Sequence, residues 1–120
     1  MIKVDLSIDD GVLMVMPEGR LEADDFKELA DVADPYIEDN GKLNGLMIYT
    51  ESFPGWKDFE ALTSHFRFVK DHHRNLEKVA LVTDSKAASV AETLAGHFIS
   101  AEIKHFDFND KDAALDWLRS

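Results

Sequence analysis

The sequence predicts an α/β fold: a mostly parallel five-stranded sheet with an N-terminal antiparallel hairpin, in the order β-β-α-β-α-β-α-β-α. Three observations carry this. Short apolar runs at Val12–Met16, Leu46–Tyr49 and Val79–Val82 read as strands buried on both faces. Between them, apolar residues recur at helical spacing. Glycine, proline and Asp or Asn residues punctuate each change of period.

The elements follow in order. Ile2–Ile8 alternates Val4, Leu6 and Ile8 with Lys3, Asp5 and Ser7, the pattern of a strand with one wet face. Asp9-Asp10-Gly11 is a tight turn, because Asp-Gly accepts positive φ, and Val12–Met16 returns as its antiparallel neighbour. Pro17-Glu18-Gly19-Arg20 ends that strand. Acids at Glu22, Asp24 and Asp25 suit a helix N-terminus, and Phe26, Leu29, Ala33, Tyr36 and Ile37 form its apolar stripe. Pro35 falls inside the stripe and predicts a kink or a break; Asn40-Gly41 predicts the C-cap.

Leu46–Tyr49 is the next strand, Thr50–Gly55 a loop, and Trp56 to about His73 a long helix. After the strand Val79–Val82, Asp84-Ser85 caps a helix with Ala87, Ala91, Leu94 and Phe98 on one face. Ile103, Phe106 and Phe108 predict a fifth strand. Asn109-Asp110 caps a last helix bearing Ala113, Ala114, Trp117 and Leu118. No repeat or linker interrupts the 120 residues, so residues 1–120 are expected to form a single domain.

Composition excludes several functions. The net charge of −11 disfavours nucleic acid and polybasic membrane attachment. The absence of cysteine removes disulfides, thiolate nucleophiles and cysteine-held metals. No apolar run is long enough for a transmembrane segment, and the N-terminus has no signal-peptide pattern, so a cytoplasmic location is expected.

The order and spacing of several segments resemble the STAS-type fold of SpoIIAA-like anti-sigma-factor antagonists, and more closely the small bacterial SpoIIAA-like, or STAS/SEC14-like, family. They are Gly19-Arg20-Leu21 leading into Asp24-Asp25-Phe26, Phe53-Pro54-Gly55-Trp56, Val79 to Asp84, Phe106-Asp107, and Ala113 to Leu118. The resemblance implies a regulatory or protein-interaction domain. By analogy with CRAL-TRIO proteins it also admits a carrier or sensor of a small apolar or lipid-like ligand. Related regulators carry a phosphorylatable serine before the second helix; Ser52 is the only serine in the corresponding loop, and its neighbours differ from that motif.

Two candidate sites follow. Ser52, Phe53, Pro54, Gly55 and Trp56 lie past the C-terminal end of a parallel strand, where α/β sheets place binding loops, with Asp84, Ser85 and Lys86 as a second wall. Against this stands the simpler reading that Pro-Gly makes a turn, Phe53 and Trp56 anchor a helix, and Asp84 or Ser85 caps one. The second candidate is an interaction surface. On the helix from Trp56, the residues Phe59, Leu62, Phe66 and Val69 share a stripe that Phe68 leaves, and Phe68 lies near Ala61, His65 and His72. An exposed Phe68 predicts a subunit or partner contact; a scattered surface aromatic is the alternative.

No catalytic constellation is present. Gly-x-Ser-x-Gly, a phosphate-cradling loop and a dinucleotide fingerprint are all missing. His65 and His72 are seven residues apart and His72-His73 diverge, so neither pair has metal-ligand spacing. The sequence reading is therefore a non-enzymatic domain with no cofactor and no metal, expected to form a homo-oligomer, most simply a dimer. One further point favours an oligomer. Crossovers that move steadily across a sheet leave one face open, yet three strands read as apolar on both faces. Either the strand order reverses or a partner covers the second face.

Overall fold

The computed structural model describes residues 2–51, 64, 68, 71, 75–83 and 102–120. Strands β1 (Ile2–Ser7), β2 (Val12–Pro17), β3 (Leu43–Tyr49), β4 (Leu76–Val82) and β5 (Glu102–Phe106) form one sheet in sequential order. β1 pairs antiparallel with β2, and every later pair is parallel. Helices α1 (Ala23–Asn40) and α2 (Lys111–Arg119) are described in full, and Ser64, Phe68 and Asp71 are also helical.

The hairpin closes one residue earlier than the alternation suggests. Ser7 is opposite Val12, and Ile8 lies in the turn, 72% exposed, instead of ending a buried strand face. Gly11 adopts φ +66°, and its N–H donates to the Ser7 carbonyl at 2.9 Å. A side chain at Gly11 would also meet Tyr36 Oη at 2.8 Å and Asn44 Nδ2 at 2.9 Å. The turn is thus pressed against α1 and β3, and Arg119 closes it from a third side with an ion pair to Asp10 at 2.9 Å.

α1 runs unbroken through Pro35 and ends at Gly41, whose φ is +87°. Proline removes the hydrogen bond to the Asp31 carbonyl at a point where both residues are solvent-exposed. Packing of Ala33 and Ile37 on either side of Pro35 keeps the helix on the sheet. At its start, Asp25 is buried and accepts the Glu22 N–H at 2.7 Å, half of a capping box.

Alternation along each strand sends side chains to two cores. Leu13, Val15, Leu46, Val79 and Leu81 pack with Phe26, Leu29 and Ala33 of α1. Val12, Met47, Ala80 and Val82 pack with Ala114 and Leu118 of α2. The second face is therefore covered without a reversed strand order and without a partner. The last helix, which follows the edge strand β5, folds back across the open face. Gly45 makes the approach possible: a Cβ there would lie 2.7 Å from Leu118 Cδ2 and 3.1 Å from Leu118 Cβ. Lys78 secures the end of α2, its ammonium donating to the carbonyls of Trp117 at 3.1 Å and Ser120 at 3.2 Å.

Candidate functional site

The parallel strands β3, β4 and β5 end side by side, and their backbone pairing continues past the strand ends. The Thr50 N–H donates to the Val82 carbonyl, and the Thr83 N–H to the Phe106 carbonyl, each at 3.1 Å. The Thr83 hydroxyl then donates to the Glu51 carbonyl at 3.0 Å. Thr83 is only 1% exposed, so this bond forms away from competing water. His105 adds a third link: its Nε2 lies 2.9 Å from the Thr83 carbonyl. A carbonyl only accepts, so Nε2 carries the proton. Glu51 and Thr83 immediately precede the two loops singled out in the sequence, and their clasp brings the roots of those loops together.

Aromatic side chains border this edge on the α2 face. Tyr49 stacks on Phe108 with centroids 4.7 Å apart and planes 14° from parallel, and Lys111 Nζ sits 5.0 Å from the Tyr49 centroid. Phe106 tilts against Trp117 at 5.8 Å, with Lys104 over both rings. Phe108 is thus not a residue of β5: the strand ends at Phe106, and Phe108 turns back to cover Tyr49.

Ser52, Phe53, Pro54, Gly55 and Trp56, and Asp84, Ser85 and Lys86, lie outside the described residues, as do Ala61, His65 and His72. Phe68 is described, and it corrects the expectation of an exposed aromatic. It is 8% exposed, part of the α1-side core, and tilts at 45° against Phe26 with centroids 6.4 Å apart. The expectation assumed a helix burying a single face; Phe68 is buried on the flank by α1. The second sheet face is likewise covered within the chain, by α2.

Beside the Phe26–Phe68 contact lies an open groove of about 360 Å³. Ala23, Phe26, Ala30 and Phe68 form its apolar floor, and Lys27, Asp34, Ser64 and Asp71 its lip. Among the described residues no group of three His, Asp or Glu is placed to hold a metal ion, and no helix is long and apolar enough to cross a membrane.

Sequence reasoning missed Thr83 and His105. Their signal is weak: a threonine at a strand end reads as ordinary β propensity, and a lone histidine carries no motif. Glu51 takes part through its backbone carbonyl, which no residue type signals.

A sequential, mostly parallel sheet with helices on both faces and a clasped strand-end edge defines a small α/β module. The chain belongs to the SpoIIAA-like family, whose profile matches residues 12–119. Its fold is similar to that of an uncharacterized protein with a SpoIIAA-like fold from Shewanella loihica PV-4, with a TM-score of 0.73 and 24% identity over 98% of this chain and 92% of the other. No curated protein matches the chain.

Proposed function

We propose that this domain is a non-catalytic regulatory or protein-interaction module that engages its partner at the C-terminal ends of β3 and β4, through the loops 52–56 and 84–86. The observation that carries this reading is the Thr83–Glu51 clasp. It draws the roots of both loops to one point of the sheet edge, so that two separate segments are available to one partner. Family membership supports an interaction role, since the SpoIIAA-like resemblance is to regulators that act by binding. The carrier reading called for an apolar cavity beside Trp56. Trp56 lies outside the described residues, and the groove among the described residues lies beside α1.

Co-purification from the source cells tests the proposal. Wild-type protein is expected to retain a stoichiometric partner that the double variant Phe53→Ala/Trp56→Ala loses while keeping its fold. Retention of the same partner by the variant contradicts a loop site, and turnover of a small molecule by the purified domain contradicts a non-catalytic role.

A further inference from the structure

The net charge of the chain is not evenly spread. The 18 residues of α1 carry seven acids against the single base Lys27, a net −6 of the chain's −11. Asp25 is spent on the N-cap, but the other six are not buried. Asp24, Glu28, Asp31 and Glu38 fall within about 80° of one another around the helix, opposite the buried face. Among the described residues, no ion pair engages these four or Asp39.

This arrangement works against the helix itself. Like charges at i, i+3 and i, i+4 repel, and Asp24–Glu28 and Glu28–Asp31 are such pairs. The last turn holds Glu38 and Asp39 and no base, where the helix dipole favours cations. Solubility alone does not call for this concentration, because an even spread would serve as well at less cost. Charges that oppose local structure without a compensating internal contact point to something outside the chain.

The groove lies along the flank of the same helix. Asp34 joins Asp71 on its lip, where Lys27 is the one base among the described residues, and its floor is the Phe26–Phe68 contact with Ala23 and Ala30. Acid stripe and apolar groove are thus contiguous. We propose that they dock a basic amphipathic segment of a partner protein, with apolar side chains seated against Phe26 and Phe68 and lysines or arginines along the stripe. Charge complementarity selects this occupant: an acidic or neutral apolar segment would leave the acidic stripe unanswered, and a purely cationic one would leave the groove empty. The surface is separate from the strand-end loops.

The test is a fluorescence-anisotropy titration with a labelled synthetic peptide of leucines and lysines at helical spacing, and with an oligolysine of equal charge. The wild type is expected to bind the amphipathic peptide about tenfold or more tighter than oligolysine, and Asp31→Lys/Glu38→Lys is expected to weaken that binding about tenfold. Asp112→Lys/Asp116→Lys, which changes net charge equally on α2, is expected to weaken it by less than about twofold. Ala30→Trp, which fills the groove, is expected to weaken the amphipathic peptide and leave oligolysine unchanged, with circular dichroism confirming the fold of each variant. Equal weakening by the two charge reversals, equal affinity for oligolysine, or no effect of Ala30→Trp overturns the proposal. None of these variants touches the loops 52–56 and 84–86, so failure here is read separately from failure at the strand ends.

Discussion

The Thr83 hydroxyl donates to the Glu51 carbonyl across 3.0 Å, tying the residue that follows β4 to one that follows β3. Removing the hydroxyl leaves the Glu51 carbonyl without this donor beside a buried methyl group. Thr83→Val is expected to cost about 1–2 kcal/mol in urea unfolding, and Thr83→Ser, which keeps the hydroxyl, clearly less. If the bond positions the loops, Thr83→Val also weakens partner retention by more than its stability loss explains.

Gly45 and Leu118 form a second coupled pair. A methyl at Gly45 meets Leu118 Cδ2 at 2.7 Å, so α2 has to shift or repack. Gly45→Ala is expected to destabilise by about 1–3 kcal/mol through overpacking. Leu118→Ala is expected to cost about 2–5 kcal/mol by leaving a cavity. The double variant is expected to lose less than the two losses added, because the new methyl occupies part of that cavity. Additive losses in chemical denaturation would contradict direct contact between strand and helix at this point.

Pro35 sits in the middle of an unbroken helix, exposed. Pro35→Ala restores an N–H for the Asp31 carbonyl. An interior proline costs a helix about 3 kcal/mol, and its loss also frees the unfolded chain by up to about 1 kcal/mol. The net expectation is a stabilisation of about 1–2 kcal/mol, read as a raised melting temperature with unchanged helix content. A fall in stability would show that the proline shapes α1 in a way its exposed position does not indicate.

The hairpin turn separates backbone from surface electrostatics. Gly11→Ala forces a side chain into positive φ and against Tyr36 and Asn44, and is expected to cost more than about 1 kcal/mol. Arg119→Ala removes only an ion pair whose side chains are 47% and 32% exposed, and is expected to cost less than about 1 kcal/mol. Comparable losses by thermal unfolding would mean that Arg119 anchors the turn more firmly than surface pairs do.

Much of the fold was legible because period and punctuation agree. Val12–Met16, Leu46–Tyr49 and Val79–Val82 all lie in strands, and Gly41 ends α1. What was not legible depended on partners that local pattern does not name. Leu43 and Leu76 extend their strands upstream because each lies opposite the other in the parallel register. Pro35 is tolerated because packing on both sides of it outweighs one lost hydrogen bond. The burial of Phe68 depends on where α1 lies beside it, and the cover of the second face on a helix that returns across the sheet. Of the candidate site, the positions of the loop roots at the strand ends were legible, and the hydroxyl that joins them was not.

Hydrogen–deuterium exchange of the domain alone and with its co-purified partner tests the central claim most directly. The account predicts slower exchange on binding in the peptides covering residues 51–56 and 84–86 together, with the β1–β2 turn at the opposite end unchanged. Protection of neither loop, or of one without the other, would contradict a shared strand-end site.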